Sequence, residues 1–481
     1  MNVLIVLKSL GMLLLCEAVA LLPPVLLAVY YQENTVPAFL YTIIIAVIIG
    51  FLFYSLKVKD NVIRYKEGFA IVTFGWLAVS VIGALPFIFS GVLSSFADAF
   101  FETVSGFSTT GATVIANVEI VPFSLLFWRS FTHWLGGMGI LVLALAISPA
   151  LGVGTFQILK AESPGPISAK LTPKLSKTAK ILYTTYLIIT LIQIFLLKLG
   201  GMPLFDSVVN TFGTLGTGGF SIKNASIGAY NNIYFEVVIT IFMLLSGVNF
   251  SLYYLAFKQK SLQQFWQDKE FKVYLGIVAA YILVIALNLY DSVFNSLWES
   301  LRHASFQVAS IITTTGYATT NFDLWPDLSR MLLLTLMFIG ACAGSTAGSM
   351  KVIRIYLIFK YVQREISSLI HPRVVKAVKI GDQPVQETVL SSVVAFSMLY
   401  ILLFIIATLL ILTQGLDIIS AMSAVACTLG NIGPGLNVVG PARTFAPLSD
   451  FAKYLLSFCM LMGRLELYTV ISLFSPHFWK K

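Results

Sequence analysis

Four short stretches of this chain carry residue types that could do chemistry together. They are Ser108-Thr109-Thr110-Gly111-Ala112-Thr113, Thr214-Leu215-Gly216-Thr217-Gly218-Gly219-Phe220, Thr314-Thr315-Gly316-Tyr317-Ala318-Thr319 and Thr428-Leu429-Gly430-Asn431-Ile432-Gly433-Pro434-Gly435. Their shared core is Thr-(Thr/Leu)-Gly, and it returns at intervals of roughly a hundred residues, as a repeat should. Aligned on that core, Thr109, Thr110, Gly111 and Ala112 match Thr214, Leu215, Gly216 and Thr217, then Thr314, Thr315, Gly316 and Tyr317, then Thr428, Leu429, Gly430 and Asn431. Glycine reaches positive φ at little steric cost, so successive carbonyls can turn toward one axis. A potassium ion that sheds its water needs such a ring of oxygens. The backbone carbonyls of Thr110, Gly111, Leu215, Gly216, Thr315, Gly316, Leu429 and Gly430 are the expected ligands, and four turns make one ring.

The chain that positions these turns is built for lipid. Of 481 residues, 58% are hydrophobic and 11% charged, with a mean hydropathy of +0.88, a balance that excludes a string of ordinary water-soluble domains. Apolar spans run at 3–30, 37–57, 69–91, 125–150, 180–200, 233–257, 272–290, 329–360, 388–413 and 450–474. Each is near the twenty or so residues that cross a bilayer, which predicts about ten crossings. The first, interrupted only by Lys8 and Glu17, is long enough to stay as a membrane helix, with a kink expected at Pro23-Pro24. Segments such as Phe96–Ser108 and Asp417–Thr428 precede the glycine turns and are too short to span, which predicts re-entrant helices. Irregular backbone at membrane depth is tolerable only where it lines water or is buried in protein.

The fold class expected is therefore an all-α polytopic membrane protein. Four pseudo-fourfold units of helix, pore loop and helix surround a central pore, and two extra N-terminal transmembrane helices stand apart. The units divide at residues 1–66, 67–160, 161–262, 263–380 and 381–481.

Thirty-one Lys and Arg residues set the orientation. Lys57, Lys59, Arg64 and Lys66 follow the second span; Lys160, Lys170, Lys174, Lys177 and Lys180 the fourth; Lys258, Lys260, Lys269 and Lys272 the sixth; Arg354, Lys360, Arg364, Arg373, Lys376 and Lys379 the eighth. Lys480 and Lys481 close the chain. Every even-numbered crossing thus ends in a basic loop, which the positive-inside rule places in the cytoplasm with both termini. The net charge of +9 needs no nucleic-acid partner, because the inner loops account for most of it.

Two interruptions stand out within the apolar spans. Gly340-Ala341-Cys342-Ala343-Gly344-Ser345-Thr346-Ala347-Gly348-Ser349 places three glycines inside the eighth span, each costing a helix about 1 kcal/mol relative to alanine. An unwound loop in an aqueous cavity fits, and so does close packing of small residues between helices. Arg464 is a cation near the middle of the tenth span, where a charge costs at least about 2.5–3.5 kcal/mol unless it meets water or a partner. Lys453, nearer the outer end of that span, can snorkel.

Asp98, Asp206, Glu299 and Asp417 open the four short helices, which suits capping and also leaves the negative helix ends toward the pore. Cys16, Cys342, Cys427 and Cys459 have no paired spacing and read as packing residues. His133, His303, His371 and His477 are scattered, and no nucleotide-binding or metalloprotease motif occurs. No enzyme activity and no cofactor are expected of this chain.

These features resemble the Trk/Ktr/HKT superfamily of potassium transporters and, within it, the TrkH branch of pore-forming subunits. The likeness rests on Gly106-Phe107-Ser108-Thr109-Thr110-Gly111-Ala112-Thr113, on Ile311-Ile312-Thr313-Thr314-Thr315-Gly316-Tyr317, on the run from Gly340 to Lys351, and on Gly463-Arg464-Leu465-Glu466. The two extra N-terminal spans suit the ten-span form. The resemblance implies potassium uptake across a bacterial cytoplasmic membrane. It also implies that Gly340 to Ser349 form an intramembrane gating loop, with Arg464 beside it as an electrostatic barrier. A homodimer in membrane lipid is implied too, regulated by a separate cytoplasmic, TrkA-like nucleotide-binding subunit. An alternating-access cation symporter is the other reading, since such transporters also use repeats and broken helices; four parallel copies of one glycine turn favour a single axial filter.

Overall fold

The computed structural model describes residues 1–58, 63–139, 175–371, 377–381 and 383–479. Outside them lie the later part of the expected fourth span and the boundary at 160/161. Lys59, Lys160, Lys170, Lys174, Arg373, Lys376, Lys480 and Lys481 of the basic loops also lie outside.

Within the described residues the chain is mostly helical. The strand pair Lys379–Ile380 and Gln383–Pro384 forms a minimal hairpin ahead of the fourth repeat. Six helices are long and apolar enough to cross a membrane, and two bent pairs raise that to eight. The expected fourth span begins as Phe123–Gly137, and the eighth is divided into Asp327–Leu336 and Val352–Ile370; counting these two gives the ten-crossing layout.

The first span breaks at Leu21, where Pro23 and Pro24 sit in the first turn of Leu22–Tyr30. Proline is tolerated there because those amides have no intrahelical partner. Val3–Ala20 packs against Val36–Tyr54 and Tyr65–Phe89, and Gly11 lies so near the Gly50 carbonyl that an added Cβ would stand 2.6 Å from its oxygen.

Each repeat has three parts. A lead helix comes first: Tyr65–Phe89, Leu175–Leu199, Lys269–Leu289 and Glu387–Leu412. The last three present apolar side chains outward, among them Leu191, Phe195, Leu287, Met398, Ile405 and Leu409. A soluble helix would carry charge on that face. A pore helix follows: Phe96–Phe107, Leu204–Leu215, Leu297–Ile312 and Ile418–Leu429. At 12, 12, 16 and 12 residues, these reach about 18–24 Å, short of the ~30 Å hydrocarbon layer. After the glycine turn a return helix runs back.

The return helices do not run straight through as the expected spans 233–257 and 450–474 require. Ile233–Ser246 bends by 90° into Phe250–Gln259, and Asp450–Leu465 bends by 117° into Leu467–Phe474. At the first bend the Asn249 side chain accepts the Ser251 amide at 2.9 Å and starts the new helix. At the second, Glu466 adopts φ +64°, a conformation that ends a helix for any residue with a Cβ. The first return helix is described to Gly137, and the third opens into a loop after Leu336.

Candidate ion-conducting site

The pore helices deliver the four turns in a single backbone form. One residue caps each helix, Ser108, Gly216, Thr313 and Gly430, with φ between −67° and −83°. The next has positive φ: Thr109 57°, Thr217 54°, Thr314 56° and Asn431 56°. Two residues later comes a positive-φ glycine: Gly111 83°, Gly219 74°, Gly316 83° and Gly433 100°. The residue between them donates its amide five residues back into the pore helix: Thr110 to Ser105 at 2.9 Å, and Gly218 to Gly213, Thr315 to Ser310 and Ile432 to Cys427 at 2.8 Å each.

This register agrees with alignment on Thr-(Thr/Leu)-Gly in the first and third repeats and departs from it by three residues in the second and fourth. Thr214, Leu215, Thr428 and Leu429 are still helical, and Gly216 and Gly430 are helix caps. The carbonyl of Gly216 accepts the Thr217 hydroxyl at 2.7 Å, that of Leu429 abuts Gly463, and that of Gly430 abuts Gly348. Glycine recurs at and beyond these helix ends, and in the second repeat threonine recurs on both sides, so the short sequence core matched the cap instead of the turn. The structural equivalents of Thr109-Thr110-Gly111-Ala112 are Thr217-Gly218-Gly219-Phe220, Thr314-Thr315-Gly316-Tyr317 and Asn431-Ile432-Gly433-Pro434.

The turns meet in a closed ring. A Cβ at Gly111 would collide with the Gly218 carbonyl oxygen, at Gly219 with that of Thr315, and at Gly316 with that of Ile432; at Gly433 it would stand 2.6 Å from the oxygen of Thr110. Each repeat thus sets its glycine against the carbonyl of the next, and the fourth returns to the first. Positive φ and a contact too close for a side chain impose glycine at all four places. The four glycines line one outward cavity of about 130 Å³ with Ala112, Ser221, Ala318 and Pro434.

Side chains that the sequence did not single out brace this ring. His133, fully buried, donates from Nδ1 to the Gly106 carbonyl at 2.7 Å and accepts the Phe220 amide on Nε2 at 3.2 Å. The second bond fixes the tautomer, because an acceptor nitrogen carries no proton. Buried Arg129 pairs with Glu102 at 2.5 Å, donates to the Ser221 carbonyl at 2.9 Å and stacks over Phe220 at 3.5 Å. Glu102 also accepts the Val114 amide at 2.9 Å, so one ion pair ties the turns of repeats one and two.

Tyr317 reaches from the third turn to the Asn210 carbonyl at 3.0 Å, and the Asn431 amide group donates to Thr110 Oγ1 at 3.0 Å and to the Met460 carbonyl at 2.8 Å. Arg302 meets Glu236 at 3.1 Å between repeats two and three, and Arg330 meets Asn437 at 2.8 Å between three and four. Lys453 is not a snorkelling surface lysine: it is buried and meets Asp98 at 2.6 Å, joining repeat four to repeat one. Of the other acidic residues at pore-helix starts, Asp206 accepts the Tyr230 hydroxyl at 2.8 Å, Asp417 caps Ser420, and Glu299 is exposed.

Beneath the ring lies the segment Gly340 to Ser349, buried except at Gly344. It is a loop and not a packed helix. Its limbs are joined by Gly340 N to Met350 O at 2.6 Å and by Val352 N to Ala341 O at 3.1 Å. Cys342 donates to the Gly247 carbonyl, and Gly344 accepts from Phe250, both at 3.0 Å, so the loop sits in the bend of the second return helix. Ser345 bonds back to Cys342, Thr346 reaches the Ser246 carbonyl, Lys351 Nζ donates to the Ala347 carbonyl, and Ser349 bonds Met337. Gly348 touches the base of the ring itself, donating to Thr314 Oγ1 at 2.8 Å.

Arg464 stands beside this loop, donating to the Thr346 carbonyl at 2.6 Å and to the Gly137 carbonyl at 2.7 Å. The neighbouring Glu466 meets Arg354 at 2.5 Å. About 10 Å³ of free space remains among Ala347, Gly348, Arg354 and Arg464, no more than one water occupies. A ring of backbone oxygens above a buried loop, in a chain with spans long enough to cross a membrane, is the construction of a cation-conducting membrane protein. The sequence marked the loop and Arg464 as interruptions but did not place Lys351 and Arg354 beside them, where Lys351 bonds the Ala347 carbonyl and Arg354 pairs with Glu466.

The comparisons with known proteins agree with that class. The model of the TrkH family, described as cation transport protein, matches residues 35–481. The Trk system potassium uptake protein TrkH of Salmonella typhimurium is 39% identical over 478 residues, covering 98% of this chain and 99% of that protein. TrkG of Escherichia coli K12, also a Trk system potassium uptake protein, is 37% identical and covers 98% and 97%. The crystal structure of the potassium transporter TrkH from Vibrio parahaemolyticus superposes with a TM-score of 0.90 over the whole of both chains at 37% identity. The chain belongs to the TrkH family of cation transport proteins and is an integral membrane protein.

Proposed function

We propose that this chain takes up potassium across the bacterial cytoplasmic membrane through a filter formed by Thr110-Gly111, Gly218-Gly219, Thr315-Gly316 and Ile432-Gly433. The observation that carries the reading is the closed ring of glycine-to-carbonyl contacts, one from each repeat to the next. Backbone oxygens at such a constriction can replace the water of a dehydrated ion. The pore helices begin at or beside carboxylates and end at the ring, which favours a cation there.

The loop Gly340 to Ser349 is the gate in this reading, and Arg464 adds an electrostatic barrier. Both termini and the basic loops face the cytoplasm. Two copies of the chain work with a separate TrkA-like nucleotide-binding subunit, for which the exposed side chains of Lys258 and Lys260 offer part of a docking face.

Selectivity tests the filter. In proteoliposomes the chain passes potassium and rubidium in preference to sodium, and Gly111→Ser relaxes that preference, because its side chain meets the Gly218 carbonyl in the ring. A folded Gly111→Ser variant with wild-type rubidium-to-sodium flux ratio would remove Gly111 from the filter.

A further inference from the structure

Glu270 is buried, 9% exposed, in the first turn of the third lead helix, Lys269–Leu289. Nothing in its own helix needs it: the cap is Asp268, which accepts the Phe271 amide at 2.8 Å. Glu270 instead turns its Oε1 to two amides on opposite limbs of the intramembrane loop, Ala343 at 2.7 Å and Ile353 at 3.0 Å. Ile353 lies in the first turn of Val352–Ile370, where amides have no helical partner and a carboxylate is favoured. Ala343 lies on the outgoing limb, next to Cys342. A single carboxylate oxygen thus closes the loop at its cytoplasmic end.

The opposite side of the same limb is held by the bend of the second return helix, through Gly247 and Phe250. Between Phe250 and Glu270 the chain runs through the helix Phe250–Gln259, the short helix Gln263–Gln267 and the cap Asp268. Lys258 and Lys260 are exposed along this stretch, as are Phe257, Leu262 and Trp266. Both anchors of the loop are therefore the two ends of one surface segment about twenty residues long, short enough for a shift at the surface to reach them.

We propose that Glu270 is the latch of the intramembrane loop: its carboxylate holds the Ala343 and Ile353 amides together and passes movement of the surface segment 250–269 to the loop. The proposal rests on the reading of the loop as the gate. Glu270 is a positioning residue in it, acting through the loop and not on the ion. Glu270→Ala leaves two buried amides without acceptor and frees the outgoing limb. Glu270→Gln keeps a carbonyl acceptor for them and retains most of the hold.

The test uses two native cysteines in the full-length chain. Cys342 is 1% exposed beside Ala343, and Cys427 is fully buried in the fourth pore helix. Maleimide labelling of each, resolved by peptide mass spectrometry, is followed with rubidium uptake by the chain without any added partner. In Glu270→Ala the Cys342 labelling rate rises about tenfold or more, as loss of charge-assisted hydrogen bonds implies. Cys427 keeps its wild-type rate, uptake rises, and Glu270→Gln falls between wild type and Glu270→Ala. Unchanged Cys342 labelling in Glu270→Ala overturns the latch, and so does acceleration at Cys342 and Cys427 together, which would mark general loosening. A deletion of Ser345 to Ala347 is measured beside them. If the deletion leaves uptake unchanged, the gate reading itself fails; if the deletion raises uptake and Glu270→Ala does not, only the latch fails.

Discussion

At the scale of single residues, His133 bridges two of the glycine turns. One ring nitrogen serves the end of the first pore helix at Gly106 and the other serves the second turn at Phe220. Gly218 lies so close to the imidazole that a Cβ there would collide with it. His133→Ala leaves a buried carbonyl and a buried amide unpaired, at about 1–3 kcal/mol each. The expected outcome is a lower thermal midpoint in detergent together with a lower rubidium-to-sodium flux ratio in liposomes. His133→Gln, which offers one donor and one acceptor on a shorter reach, recovers part of the stability. A His133→Ala protein with unchanged midpoint and selectivity would show that the two turns hold their form without this bridge.

At the scale of elements, the distinctive part is the return helix, interrupted or bent in the second, third and fourth repeats. Two of these breaks meet: the bend at Gly247 to Asn249 receives the loop Gly340 to Ser349, and Arg464 in the fourth return helix bonds the Thr346 carbonyl. In the proposed reading, loop and charge would differ in what they contribute to closing the pore. A fixed charge about 4 Å from a potassium ion repels it by about 4 kcal/mol at an effective dielectric of 20. That slows passage strongly but does not occupy the path as atoms do. Shortening the loop should therefore raise basal rubidium uptake more than Arg464→Ala, with the double change exceeding either. The three variants are compared without a cytoplasmic partner. Uptake that stays at the wild-type level after loop deletion in folded protein would move the gate elsewhere.

At the scale of the whole molecule, one chain closes a fourfold ring by repetition, and polar bridges sit at its junctions: Arg129 to Ser221, Arg302 to Glu236, Arg330 to Asn437 and Lys453 to Asp98. Removing one member of a buried pair is costly because it strands the other. The unequal chemistry of the four bridges also makes the junctions non-interchangeable. The pore is complete within a monomer, so a dimer would serve regulation and not conduction. Native mass measurement of the purified complex is expected to give two pore chains with a nucleotide-binding ring. Full nucleotide-regulated flux from a strictly monomeric chain with no added partner would contradict that assembly.

Much of this was legible in the residues alone. Composition and span length determine a membrane protein of about ten crossings, since water-free surroundings leave the backbone little choice but helix. The glycine turns and the small-residue run could be located because each breaks an apolar pattern at a visible cost. Register within the turns was not legible. Gly216 and Gly219, or Gly430 and Gly433, differ in role only through backbone dihedrals and the neighbour each faces. Two residue letters three positions apart carry no mark of that.

The bracing groups were hidden for a related reason. Arg129, His133, Glu270 and Lys453 act on residues 27 to 355 positions away along the chain: Arg129 on Glu102 and Ser221, His133 on Gly106 and Phe220, Glu270 on Ala343 and Ile353, and Lys453 on Asp98. Sequence determined that costly charges and glycines exist within the apolar chain. Which carbonyl or carboxylate offsets each of them was decided only when four repeats closed around one axis and brought those distant groups within hydrogen-bond reach.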